Sequence, residues 1–450
     1  MELIVLNGSP KGKDSITLQT VLYLEKLYPQ HKFTYCDLNK CIRHPEVLTD
    51  TAQKMQNADL VLFSYPVYTF IAPYAVHRFI ELLKQSGVCL EGKFVSQITT
   101  SKHFYDVTAH RYVQDNCHDM GMKPIRGLSA DMDDLTTKKG RAEARGFMEY
   151  AEWCVGNDVY EKSLYVPREY EKKPVTPLEI KNGKTGDVVL VTNCGDGDDR
   201  LKSMIDRFCG AMTRKVRVVN IEKFPFKGGC LGCFNCAVSG ECIYKDGFDS
   251  FLRNEIQTAQ AIVTAFTIKD HSMGASFKLY DDRQFCNGHR TVTMGMPMGY
   301  IVCGDYASEY NLQTVLEARA QVGGNFLAGV ATDMTDPDGD IDRLAKSLEY
   351  ALDKKYTPPQ NFYGVGGMKI FRDLIWLMQG MMKADHKFYK KHGQYDFPQR
   401  KRGTMLKMYL VGMMLSNKTI MKKAGGKMTE GMLMPYKKVL DNVKDGKDLN

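Results

Sequence analysis

The sequence predicts two doubly wound α/β domains in tandem, each a parallel sheet with helices on both faces, followed by a helical tail. Three observations carry that expectation. Apolar, strand-like runs alternate with helix-length runs over residues 1–155, the same order of segments returns after residue 186, and a basic, methionine-rich stretch with helical spacing follows. At 450 residues the chain exceeds one ordinary core, so two domains of roughly 150–200 residues plus additions are expected. Its 43% apolar and 25% charged content is ordinary for a globular protein and excludes global disorder.

The first unit opens on ELIVLNGS, a buried strand that runs into a glycine turn, and SITLQTVLYLEKLY follows with helical spacing. KFTYCDL reads as a second strand, DTAQKMQNA as a second helix and DLVLFSYPVY (59–68) as a third strand. APYAVHRFIELLKQSG is helical, GKFVSQITTS is a fourth strand and HFYDVTAHRYVQDNCHDMG a helix. A fifth strand (124–130) and a helix (140–154) complete the unit. Strands separated by helices of this length imply parallel pairing.

The unit then recurs. DVVLVTNCGD (187–196) corresponds to the first strand and QAIVTAFTIKD (260–270) to the third, while GVATDMTDP (329–337) corresponds to GLSADMDDL (127–135). The offset grows from about 184 to about 202, so the second unit carries roughly 18 extra residues between its first and third strands. The expected division is a domain over 1–160, a linker over 161–186, a domain over 187–356 and a tail over 357–450. The linker follows from VPREYEKKPVTPLEIKNGKTG, which has three prolines and no periodicity.

The net charge of +8 is uneven: residues 360–450 hold 18 Lys and Arg against 7 Asp and Glu, so the other 359 residues sum to about −3. No nucleic-acid motif accompanies that basic tail, and nucleic acid is not an expected partner. Twelve of 25 methionines lie between 368 and 434. Three uses fit the tail: packing over the body, which is the first expectation, docking a partner, or lying on an anionic membrane. The N-terminal run lacks the features of a signal peptide and no stretch of 18 apolar residues occurs, so a cytoplasmic location is expected. Thirteen cysteines in such a chain are not expected to form a disulfide framework.

The segment NGSPKGKDSIT (7–17) joins the first strand to the first helix. Gly8 permits a tight turn, Ser9, Ser15 and Thr17 offer hydroxyls near a helix N-terminus, and Lys11 and Lys13 strengthen the positive field, which together suit an anion. After the third strand, SYPVYTF (64–70) combines Tyr65, Pro66, Tyr68 and Thr69, suited to a flat aromatic ring. In an open parallel sheet both loops lie at the ligand-binding carboxyl ends.

The segments LNGSPKGKDSIT and SYPVYTFIAPYAVHRFIELL resemble the flavodoxin-like NAD(P)H-dependent FMN reductases, a likeness that extends over each repeat, roughly 1–155 and 186–356. The resemblance implies two flavodoxin-like domains. It also implies that Ser9, Lys11, Ser15 and Thr17 bind the FMN phosphate and that Pro66, Val67, Tyr68 and Thr69 line the ring. Thr100 and Ser101, in TTSK (99–102), would approach the ring's other edge. The second unit departs at both loops: NCGDGDDRL (193–201) places Asp196, Asp198 and Asp199 where a phosphate would sit, and its third strand lacks the proline-tyrosine pair. FMN is therefore expected in the first domain alone.

The extra residues of the second unit contain KGGCLGCFNCAVSGECIYKD (227–246), with Cys230, Cys233, Cys236 and Cys242 spaced C-x2-C-x2-C-x5-C. Thiolates at such steps suit an iron–sulfur cluster, although structural zinc and redox-active thiols use similar spacings. After the second strand of a flavodoxin-like domain, the run resembles the iron–sulfur flavoproteins of anaerobes, which implies a 4Fe-4S cluster on these four cysteines near FMN. Those families form homo-oligomers with cofactors near subunit interfaces, and two units in one chain can make that pairing internally. The expected function is electron transfer between FMN and the cluster, or reduction of a small-molecule or protein acceptor with NAD(P)H or a ferredoxin-type protein as donor. The alternative is a non-enzymatic pair of degenerate domains with a structural zinc site and a partner-docking tail. Lys278 and Arg283 are read as structural.

Overall fold

A computed structural model describes residues 1–417 together with 419, 433–434, 436–437, 439–441, 443–444 and 447–448. Strand β1 (Glu2–Asn7) is buried from Leu3 onward on both faces, as a central strand of a covered parallel sheet requires. The chain continues through α1 (Ile16–Leu27), β2 (Lys32–Asp37), α2 (Leu38–Cys41), α3 (Pro45–Asn57), β3 (Leu60–Pro66), α4 (Tyr74–Gln85), β4 (Phe94–Ser101) and α5 (Val107–Asp119). The fifth strand expected over 124–130 is divided into β5 (Lys123–Pro124) and β6 (Leu128–Asp131), both paired with β4, and α6 (Lys138–Asn157) follows. The second helix begins at Pro45, earlier than its apolar spacing suggested, because a proline fits the first helical turn.

The sheet order is β2-β1-β3-β4-β5, with every pair parallel. Registers align Asn7 with Ser64 and Pro66 with Thr100. Three loops that are distant in sequence therefore end at one level of one sheet edge.

Residues 161–186 have no helix or strand and lie against the second domain: Arg168 N–H donates to Asp305 at 2.6 Å and Arg207 donates to the Thr176 carbonyl at 2.7 Å. That domain contains β7 (Val188–Thr192), α7 (Asp199–Ala211), β8 (Val216–Asn220), α8 (Asn235–Ser239), α9 (Phe248–Phe251), β9 (Ala261–Thr267), α10 (Gly274–Arg283), β10 (Pro297–Cys303), α11 (Tyr310–Gly323), β11 (Phe326–Thr332) and α12 (Pro337–Lys354). Its strand order, β8-β7-β9-β10-β11, is the first domain's order again. The correspondence reaches single residues. Thr69 and Phe70 have φ of 46° and 76°, and Asp270 and His271, 201 positions later, have 52° and 58°. Left-handed backbone at four non-glycine residues is costly and persists only where the surroundings impose it.

Each domain has its own core: β1, β3 and α4 contribute to one, and β7, β9, α7 and α12 to another. The domains meet through equivalent helices, α4 on α10 and α5 on α11, as subunits related by a two-fold axis would. Polar contacts fix this interface. Tyr74 N–H donates to Asp282 at 2.7 Å, Asn116 donates to the Asp270 carbonyl at 3.1 Å and Asn311 to the Thr108 carbonyl at 3.0 Å. Lys278 is fully buried between Asp281 (2.6 Å) and Asp282.

Two further helices, α13 (Phe362–Leu377) and α14 (Lys383–Lys391), follow the second domain. Phe371 of α13 stacks on Phe104 at 4.6 Å, so this part of the tail packs on the first domain's loops. Met1–Tyr389 form one compact unit. Lys390–Asn450 form a second, in which α15 (Arg402–Leu415) exposes Met405, Leu406, Met408 and Tyr409. Of the tail expected over 357–450, residues 418, 420–432, 435, 438, 442, 445–446 and 449–450 lie outside the described residues. No described helix is long and apolar enough to cross a membrane.

Candidate functional site

A cavity of about 230 Å³ lies between the two domains, and all fourteen candidate residues line it: Ser9, Lys11, Ser15, Thr17, Pro66, Val67, Tyr68, Thr69, Thr100, Ser101, Cys230, Cys233, Cys236 and Cys242. The first ten gather at the carboxyl ends of β1, β3 and β4, in the last residues of β3 and β4, the loops after β1 and β3 and the first turn of α1, where strand register places them; the four cysteines come from the insertion after β8.

The first wall is built around the α1 N-terminus. Ser15 caps that helix, its Oγ accepting from Leu18 N–H at 3.4 Å. Ser9 Oγ accepts from Lys11 N–H at 3.3 Å, and Thr17 Oγ1 bonds Thr100 Oγ1 at 2.5 Å across to β4. The helix presents unpaired N–H groups and its positive end to the cavity, with two serine hydroxyls and the Lys11 ammonium alongside. Donors of that kind fit a phosphate monoester.

The second wall is the loop after β3. Tyr68 N–H donates to the Ile71 carbonyl at 2.8 Å, and Thr108 Oγ1 donates to the Phe70 carbonyl. From the second domain, Arg319 donates to the Thr69 carbonyl at 3.1 Å, so the loop depends on the interface for its shape. Burial pushes the Tyr68 phenol well above its usual range, aided by nearby Cys230 and Asp282. Tyr68 stays a neutral donor, and its OH reaches the Cys230 carbonyl at 3.2 Å.

The cysteine segment forms the facing wall. Gly232 lies at φ +60° with Tyr68 Oη 2.9 Å from where a Cβ would be, so glycine permits this close approach. Arg283, 1% exposed, anchors the segment: it pairs with Asp246 at 2.7 and 2.8 Å, donates to the Gly228 carbonyl at 3.1 Å and lies 4.4 Å from the Tyr244 ring centre. The thiols are free. Burial pushes Cys230 and Cys236 upward, so both are protonated at neutral pH. The donor set, four free thiols on one cavity wall, suits a cluster in chemistry. Its present placement does not: Cys230 Sγ accepts from Gly232 N–H at 3.5 Å, Cys236 Sγ donates to the Phe285 carbonyl at 3.0 Å, and among the described residues no three His, Cys, Asp or Glu side chains converge as a metal-holding group.

The second domain's equivalent loop is closed to an anion by its own carboxylate. Asp198 caps α7, accepting from Leu201 N–H at 3.4 Å and from Thr267 Oγ1 at 2.6 Å. The helix terminus that would hold a phosphate already holds an internal charge.

Several cavity residues were not singled out from sequence: Tyr244, Phe285, Cys286 and His289 of the second domain, and Ile370, Phe371 and Leu374 of α13. Burial pushes the Cys286 thiol up to about 12. Cys286 directly follows RQF (283–285) and His289 comes three residues after it, a local signal, whereas nothing in the α13 sequence points to a cavity. His77, His103 and His110 lie outside this lining; His77 is buried and stacks on Tyr112 at 3.9 Å, and His110 bonds Thr99 at 2.7 Å.

Residues 1–150 match a family model described as a flavodoxin-like fold. Both domains have the flavodoxin-like fold. No curated protein matches the chain. Solved structures similar to it include general stress protein 14 from Treponema denticola, in complex with FMN (12% identity, 34% of this chain and 98% of that one, TM-score 0.29). Others are the flavoenzyme NAD(P)H:(acceptor) oxidoreductase FerB from Paracoccus denitrificans (18% identity, 34% and 97%, TM-score 0.27) and an azoreductase from Bacillus anthracis (11% identity, 35% and 99%, TM-score 0.26).

Proposed function

We propose that this protein is a flavin-dependent oxidoreductase that holds FMN in the cavity between its domains. One observation supports the reading above others: residues suited to a phosphate (Ser9, Lys11, Ser15, Thr17) and residues suited to a flat ring (Pro66–Thr69, Thr100, Ser101) line the same cavity. In this reading the α1 N-terminus and Lys11 hold the phosphate, and the β3 and β4 loops orient the ring. Phe371 and Leu374 keep water from it. FMN bound there supplies hydride and single-electron chemistry. The donor is NAD(P)H or a ferredoxin-type protein, and the acceptor a small molecule or a protein.

A finer reading adds a 4Fe-4S cluster on Cys230, Cys233, Cys236 and Cys242, in a chain whose two domains arose by duplication and divided the cofactors between them. It draws on the four free thiols facing the flavin loops, and it requires those side chains to reorient on loading.

The test is anaerobic purification followed by an absorption spectrum and assays of flavin, iron, sulfide and zinc. About one FMN per chain supports the oxidoreductase; iron and sulfide at about four each support the cluster as well. FMN without iron leaves a flavin reductase with cavity thiols. Zinc without flavin replaces both readings with a non-enzymatic module whose tail docks a partner.

A further inference from the structure

One histidine in the cavity wall is held in a way that the flavin reading does not use. His289 follows α10 and lines the cavity. Its Nδ1 bonds Asp385 at 3.0 Å, and its backbone N–H donates to the same carboxylate at 3.1 Å. Asp385 is fully buried on α14. One turn on, the equally buried Tyr389 donates from its OH to the His289 carbonyl at 3.1 Å. Residues four apart share a helix face, so α14 grips ring and backbone together.

The grip also depends on the preceding residue. Gly288 has φ +62°, and a Cβ there would lie 2.5 Å from Asp385 Oδ1. Arg290 Nε, 3.7 Å from Asp385, is the cation beside the carboxylate. The ring packs edge-on to Phe371 (5.0 Å) and beside Phe234 (6.3 Å). Nε2 has no hydrogen-bond partner among the described residues.

A carboxylate on Nδ1 fixes the imidazole orientation, which leaves Nε2 as the ring atom able to serve a ligand in the cavity. Resting on the flavin reading above, we propose that His289, positioned by Asp385, is a catalytic proton donor to an acceptor whose reduction leaves an oxyanion, such as a flat ring carbonyl of the quinone class. FMN bound in the cavity would supply the acceptor with a hydride, two electrons with one proton. The resulting oxyanion takes the Nε2 proton: the N–H bond breaks, an O–H bond forms, and the imidazolium becomes a neutral imidazole still bonded to Asp385. Solvent then restores the proton.

The experiment compares wild type with His289→Gln and Asp385→Asn, each as full-length protein with its FMN content measured first. Flavin reduced by dithionite is reoxidised with 1,4-benzoquinone or with ferricyanide, which takes electrons without a proton. The benzoquinone-to-ferricyanide rate ratio should fall about 100-fold for His289→Gln and by less for Asp385→Asn. Affinity for 4-nitrophenolate, an oxyanion probe titrated spectrophotometrically, should fall about tenfold. A ratio unchanged in His289→Gln overturns the proposal, as does probe binding unchanged in that variant. Wild type without FMN refutes the flavin reading itself, and this inference with it.

Discussion

The Arg283–Asp246 pair allows a quantitative test of what holds the cysteine wall in place. Both side chains are nearly inaccessible, 1% and 2% exposed, and two hydrogen bonds join them. Substituting Arg283→Met strands the Asp246 carboxylate in a buried site and removes the donor to the Gly228 carbonyl. Removing one partner of such a pair costs about 3–5 kcal/mol, and at about 1.4 kcal/mol per factor of ten this is at least a hundredfold in a local opening equilibrium. Hydrogen exchange of peptides spanning 227–246, read by mass spectrometry on the full chain, should accelerate by that factor. Peptides of β1 and β3 should not change. Replacing Asp246→Leu in the same molecule removes the stranded charge and should restore most of the protection. Unchanged exchange in the single variant, or a double variant no better protected, would refute the reasoning. The pH dependence carries a sign. Burial raises the Asp246 pKa, but the hydrogen bonds from Arg283 and from the Lys227 and Phe248 N–H groups, together with the Arg283 charge, outweigh it and hold the carboxyl at about 2. The pair's contribution is therefore present above the usual carboxylate range near pH 4 and is lost as pH falls through about 2.

Other outcomes follow from the same geometry. Lys11→Ala should weaken FMN binding about tenfold or more, measured by quenching of flavin fluorescence, because a charge-assisted hydrogen bond contributes about 1.5–3 kcal/mol; unchanged affinity would remove Lys11 from the phosphate site. His271 is buried between Asp119 (3.0 Å) and Glu309 (2.9 Å) across the domain interface. Desolvation lowers its pKa, but the two carboxylates raise it to about 10. The stability it adds is complete below the unfolded value near pH 6.5 and is lost as pH rises through about 10. Thermal midpoints of wild type should decline over that window, and those of His271→Gln should decline less. Gly288→Ala should lower the thermal midpoint, through both its positive φ and the contact with Asp385, at a cost of about 1–3 kcal/mol.

Alternating apolar runs were enough to read two parallel α/β domains, because strand and helix periods are local properties of the chain. Every strand pair in the two sheets is parallel, as that reading expects. The loop after β1 was legible for the same reason: Ser9, Ser15 and the α1 N-terminus lie within one continuous segment. The cysteine spacing, too, is a local pattern. The division of the fifth strand was not legible, since pairing with β4 sets its limits. Nor was the cavity as a shared object. The insertion after β8 meets the β3 loop only because α4 packs on α10, a contact between residues about 200 positions apart. His289 and Asp385 are separated by 96 positions and by the whole end of the second domain, and neither residue signals a partner in sequence. The sequence by itself determined two domains, one serine- and lysine-bearing loop before a helix and one thiol run, whose physics is short-range. The tertiary structure decided that they form one cavity, and which histidine faces it, because side chains distant in sequence converge only when helix faces bury apolar surface against each other.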